Sequence, residues 1–120
     1  MIRINITNET AELKAVLIGI ADDFGETPKI GECYDPKSKE NVIAGTYPKN
    51  HDCILEMNAL VKVFENYNIK VFRPKNIKGL NQIFSRDIAF AIEDKLVLPN
   101  IIGARKQEVQ GISEVLNLVD

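Results

Sequence analysis

The stretch that most restricts this chain runs from Asn81 to Glu108, NQIFSRDIAFAIEDKLVLPNIIGARKQE. Apolar residues run together from Ile88 to Ile92, Glu93-Asp94-Lys95 interrupts them, and Leu96, Val97 and Leu98 resume before Pro99-Asn100. Two short strands joined by a tight charged turn satisfy that pattern, and a turn so short fixes which residues pair across the hairpin. Phe84-Ser85-Arg86-Asp87 stands at the entrance to the first strand, an opposed charge pair beside an aromatic. Strand mouths are where a rigid scaffold presents side chains to a cavity, so this tetrapeptide is the first place to look for binding chemistry.

The rest of the chain supplies a mixed α/β order around that hairpin. Leu13 to Ile20 is an apolar run broken only by Lys14 and Gly19, and reads as a strand buried on both faces. From Asp22 to Pro48 the recurrence of Gly25, Pro28, Gly31, Pro36, Gly45 and Pro48 predicts a long irregular loop, too broken for a helix. A loop of that length is either a functional lid or a plain surface excursion. Asn50 or Asp52 then caps a helix of about four turns, whose Ile54, Met57, Leu60 or Val61, Phe64 and Tyr67 recur on one face. Asn68 suits a left-handed helix end, and Ile69 to Phe72 reads as a strand beside the first, stopped by Arg73-Pro74. After the hairpin, a closing helix is predicted from Ala104 to Asn117, with Val109, Ile112 and Leu116 inward and Gly111 as a local weakness.

Composition removes several function classes. At 120 residues the chain can hold one core, and its 45% hydrophobic and 27% charged residues are those of a globular protein. A net charge of -2 with scattered lysines offers no field for nucleic acid. No apolar run is long enough to span a bilayer and the N-terminus lacks a signal layout, so no membrane association and a cytoplasmic location are expected. Cys33 and Cys53 are read as reduced thiols with no metal-ligand spacing, so neither a metal nor a cofactor is expected. His51-Asp52-Cys53 places neighbouring helical side chains in different directions, which argues against a catalytic pair.

Asn81-x-x-Phe84-Ser85-Arg86-Asp87, the hairpin ending near Asn100, and Arg105 with Glu108 opening a helix together resemble the first signature block of the guanidino-group-modifying enzymes. That superfamily includes arginine deiminase, glycine amidinotransferase and dimethylarginine dimethylaminohydrolase, and its fold is a five-bladed α/β propeller. The resemblance spans about Lys14 to Val115 and implies that residues 1–120 form a single N-terminal segment of such a propeller, roughly its first one to two ββαβ units. It implies a guanidino small molecule of the arginine type as partner. Asp87 would bind the guanidinium, Phe84 would pack beside it, Asn81 would add a polar contact, and Arg105 would engage the substrate carboxylate. Ile88 follows the aspartate where many members have proline, a departure that loosens the strand entrance.

The family's chemistry is attack of a cysteine thiolate on the guanidino carbon, giving a covalent amidino-enzyme, with a histidine and an acid moving protons. Those blocks lie beyond the part of the pattern that this chain covers, and Cys33, Cys53 and His51 fall outside it. The expectation is therefore the recognition part of an amidinotransferase or guanidino-hydrolase, with no catalytic residue of its own and inactive alone. The open alternatives are a non-catalytic binding or assembly module built on the same fold, or a remnant whose site residues are now structural. Apolar flanks left uncovered would favour self-association.

Overall fold

A computed structural model describes residues 1–120. Strand β1 (Ala15–Leu17) is followed by helices α1 (Pro36–Ala44) and α2 (Asn50–Asn66) and strand β2 (Lys70–Phe72); the hairpin β3 (Phe90–Ile92) and β4 (Lys95–Val97) then leads to two short helices, α3 (Glu108–Gly111) and α4 (Ser113–Leu116). The protein is a mixed α/β chain with two separate two-stranded sheets.

β2 lies beside β1, as the sequence predicts, and the two pair in parallel with Val16 opposite Val71. Parallel neighbours need a crossover to return the chain to the same end, and α2 supplies it, packing against β2. Asn68 ends the connection with φ 58, the left-handed conformation that asparagine tolerates. β1 differs from the fully buried strand expected. Its three residues are half-buried, and the buried positions, Ile18, Ile20 and Ala21, lie just beyond it. There Ile18 donates to Phe72 and Ile20 to Gln82, so the apolar run is partly spent on linking the first sheet to the segment before the hairpin.

The hairpin follows its predicted pattern with shorter strands, Ala91 facing Leu96 across an antiparallel pair. Its two-residue turn requires a positive φ, and Glu93 adopts 52°. That strained residue is held from outside: Glu93 exchanges two backbone hydrogen bonds with Ile6, at 2.7 and 2.8 Å. Behind the hairpin lies the core of Ile88, Ala89 and Ile112, with Leu17, Leu96, Val109 and Leu116 packed on it. Ile88 is 2% exposed and donates its N–H to the Ser85 carbonyl. A proline there would remove that bond, so the local backbone is built for the isoleucine.

Three expectations are corrected. The 22–48 segment contains α1, because residues that read as breakers serve as its ends. Asp35 accepts from the Ser38 N–H at 2.8 Å as N-cap, Pro36 begins the helix, and Gly45 closes it at φ 68. α2 has no side-chain cap from Asn50 or Asp52; its N-cap is Lys49, and Asn50, its first residue, donates instead to the Ala21 carbonyl at 3.2 Å. The predicted closing helix is broken into a 3-10 turn at Gly103–Arg105, α3 and α4. At the break the Gly111 carbonyl accepts from the Lys75 N–H at 2.7 Å, drawn across to a neighbouring loop.

The hydrogen bonds from Ser38 hold the Asp35 carboxyl below the usual aspartate range. Its support of α1 is therefore complete above the ordinary aspartate pKa and is lost as pH falls through the lowered value. Acidification should raise the exchange rate of the Ser38 amide, and Asp35→Ala should do the same at neutral pH. Unchanged Ser38 exchange in the variant would remove Asp35 from that role.

Candidate functional site

The structure brings together residues far apart in sequence at the mouth of β3. Ser85–Asp87 forms one 3-10 turn and Gly103–Arg105 another, and the two turns face each other through a single arginine. Arg105 donates from Nη1 to Asp87 Oδ2 at 2.7 Å, from Nη2 to the Phe84 carbonyl at 3.2 Å, and from Nε and Nη2 to both oxygens of Glu108 at 2.7 and 2.9 Å. The Glu108 interaction is a forked carboxylate–guanidinium pair, in which planar donors meet two acceptors in parallel.

Burial makes this pair different from a surface contact. Glu108 is 3% exposed and the Arg105 side chain 15%. Glu108 first, with Asp87 adding to it, holds the Arg105 guanidinium above its ordinary range against the opposing effect of burial, so Arg105 stays charged at every pH the fold survives. Arg86, the sequence neighbour of Asp87, is not its main partner. Its Nε lies 3.9 Å from Asp87 Oδ1 and its side chain is 91% exposed, which leaves that oxygen without a hydrogen bond.

Two adjoining cavities open at this triad. The larger, about 560 Å³, is lined by Asn81, Phe84, Asp87 and Arg105 together with Phe24, Tyr34, Asp35, Tyr47 and Cys53 among others. The smaller, about 210 Å³, shares Phe24, Tyr34, Asp35, Tyr47, Asn81 and Arg105 and adds Glu32, Cys33 and Glu108. All four site residues named from the sequence thus line one cavity. Asn81 Oδ1 accepts from the Ile83 N–H at 3.1 Å, which fixes its amide, and the Phe84 ring is 53% exposed.

The rest of the lining was not legible in the sequence. Most of it comes from the 22–48 excursion, which α1 shapes, and Cys53 and Glu56 of α2 add to it. Tyr47, whose hydroxyl is pushed up by burial and then by Cys33 and Asp35, lines both cavities. The only readable signal was the Asp35-Pro36 to Gly45 cap pattern, which would have located the helix and with it that part of the lining.

Both cysteines reach the cavities and His51 lines neither. Burial, followed by Glu56 and Asp52, raises the Cys53 thiol above its ordinary range. A thiol kept protonated is a weak nucleophile. Cys53 should accordingly react with iodoacetamide at pH 8 more slowly than a cysteine in an unstructured peptide, by mass spectrometric time course; an equal or faster rate would overturn that reading. No group of three or more His, Cys, Asp or Glu side chains is placed to hold a metal ion, and no helix is long and apolar enough to cross a membrane. Against known proteins, no family model matches the chain and no curated protein matches it.

Proposed function

We propose that this chain is the guanidinium-recognising part of an amidinotransferase or guanidino-hydrolase, forming the first one to two ββαβ units of a five-bladed α/β propeller. One observation carries the reading: Asp87, on the wall of a 560 Å³ cavity, already holds one guanidinium, that of Arg105, at 2.7 Å. Its second oxygen has no hydrogen-bond donor, beside the exposed ring of Phe84. A carboxylate and an aromatic side chain lining one cavity suit a planar cation, which can donate edge-on hydrogen bonds to the first and lie against the second. Asn81 supplies an amide to the same cavity.

In this proposal the chain binds and orients the guanidino group, while the thiolate that attacks its carbon to form the amidino-cysteine is supplied elsewhere. The protonated Cys53 thiol and the position of His51 outside both cavities favour recognition without turnover. The same observations favour the second reading, a non-catalytic binding module of this fold. The two readings share the Asp87 site and differ only in whether a nucleophile is ever brought to it.

The test is a titration of the chain with propylguanidine, followed by NMR. Saturable shifts at Asn81, Phe84 and the Arg105 side chain are expected. Absence of saturation up to tens of millimolar would end the guanidinium reading. Release of ornithine, citrulline or an amine from arginine, abolished by Cys53→Ser, would instead show that the chain carries chemistry of its own.

A further inference from the structure

Arg105 has the identity of a carboxylate anchor and the surroundings of something else. Its Nε and Nη2 are taken by Glu108, Nη2 also reaches the Phe84 carbonyl, and one Nη1 hydrogen is taken by Asp87. A single Nη1 hydrogen is left. Bidentate recognition of a carboxylate needs two parallel donors; Glu108 occupies the Nε–Nη2 edge, and with Asp87 and the Phe84 carbonyl engaged no second pair of free donors is left. Glu108 is 3% exposed, so releasing it would strand a buried carboxylate.

The charges add to the geometry. Asp87, Arg105 and Glu108 together carry one net negative charge, and the larger cavity adds Asp35 and Glu56. Lys37 is its remaining cation, and that side chain is 79% exposed and paired with Glu40 at 2.7 Å. A ligand carboxylate would meet like charge with one donor to offset it.

We infer that the Asp87 site selects guanidines whose tail carries no carboxylate, alkylguanidines or guanidines with a cationic tail, and that Glu108 sets this preference by engaging Arg105. The inference rests on the guanidinium reading above. Arg105 then acts on specificity as a wall and as a fixed neighbour of Asp87, with its charge neutralised towards acidic ligands.

Two isosteric probes test it on the full chain at pH 7.5: propylguanidine, and 3-guanidinopropionate, which replaces the terminal methyl with a carboxylate. Calorimetric titration should show propylguanidine binding at least about tenfold more tightly, since juxtaposed like charges cost more than the 1.4 kcal/mol that a factor of ten represents. Equal or tighter binding of 3-guanidinopropionate would overturn the selectivity while leaving the guanidinium site standing. Failure of both probes to bind would overturn both. Glu108→Gln removes the negative charge and frees one Arg105 donor, and should narrow the ratio between the probes by about fivefold or more. An unchanged ratio in a folded variant would show that Glu108 does not set the preference. If that variant does not fold, the wild-type ratio decides alone.

Discussion

Asp87→Asn is expected to lower the affinity for propylguanidine by tens to thousands of fold with little change in melting temperature. The substitution keeps the shape of the side chain but removes its charge, and its new amide donor competes with the donors of the ligand. Losing one partner of a desolvated charged pair costs about 2 to 5 kcal/mol, which sets that range. Stability should respond far less. The Asp87 side chain is 45% exposed, and exposed ion pairs contribute about 1 kcal/mol or less, while Arg105 keeps its buried partner Glu108. Calorimetry and a thermal melt on the same sample separate the two effects. Near wild-type affinity in the variant would mean that the contact with Arg105 is all that Asp87 provides, a structural tie and not a ligand site.

Gly19→Ala should produce the largest loss of stability of any single methyl added to this chain. A Cβ there would stand 2.0 Å from the Ile83 carbonyl oxygen and 2.3 Å from that of Gln82. Both obstacles are backbone, so no side chain can turn aside. The segments must separate, which breaks the 3.1 Å bond from Ile20 N–H to the Gln82 carbonyl and moves the residues leading into Asp87. A cost of about 3 kcal/mol or more is expected, at the upper end for overpacking, together with loss of guanidine binding. Gly45→Ala is the comparison. Its φ is 68 but nothing lies within 4 Å of the added carbon, so only the left-handed conformation is penalised, at about 1 kcal/mol. Urea denaturation of the two variants measures the difference, and equal midpoints would show that the 18–21 segment yields more easily than its packing implies.

These cases show which parts of the molecule could be read from residues alone. The hairpin was legible because two short continuous apolar runs flank a charged interruption, which marks a tight reversal. The pairing of β2 with β1 was legible because a helix between two short apolar segments leaves few other arrangements. Helix α1 was not. Proline and glycine mark helix ends and broken loops alike, and only the placement of Asp35 one residue before Pro36 distinguishes them. In the closing segment the inward positions were right, Ile112 being 0% exposed, but the break came from a carbonyl bonded to Lys75, 36 positions earlier in numbering, which periodicity cannot register.

The site divides in the same way. Asn81, Phe84, Asp87 and Arg105 were named through resemblance, and the structure sets them around one cavity. Their mutual relation was invisible. Sequence adjacency paired Asp87 with Arg86, whereas the close partner is Arg105, because two 3-10 turns meet over the end of β3. Glu108 was noted as opening the closing helix with Arg105, but neither its burial nor its forked pair with that arginine could be read from the residues.

The bonds that hold Glu93 in its left-handed conformation also say something about the order in which the molecule assembles. Ile6 reaches across to that turn, and Ile2 bonds to both Leu118 and Asp120, so the first residues join points near the hairpin and near the far end of the chain. Formed from an open coil, the Ile2 to Val119 bridge would close a loop spanning nearly the whole sequence, an entropic charge of roughly 4 kcal/mol for two or three hydrogen bonds. Such contacts are rewarded only after the intervening elements have condensed and brought the ends near. The N-terminal strip is therefore a late-docking clasp laid over a body that has already formed, and its release costs little of the core. In hydrogen exchange under native conditions the amides of Ile2, Ile6 and Glu93 should open well before that of Ile88; exchange of all four in one cooperative step would make the clasp part of the folding nucleus instead.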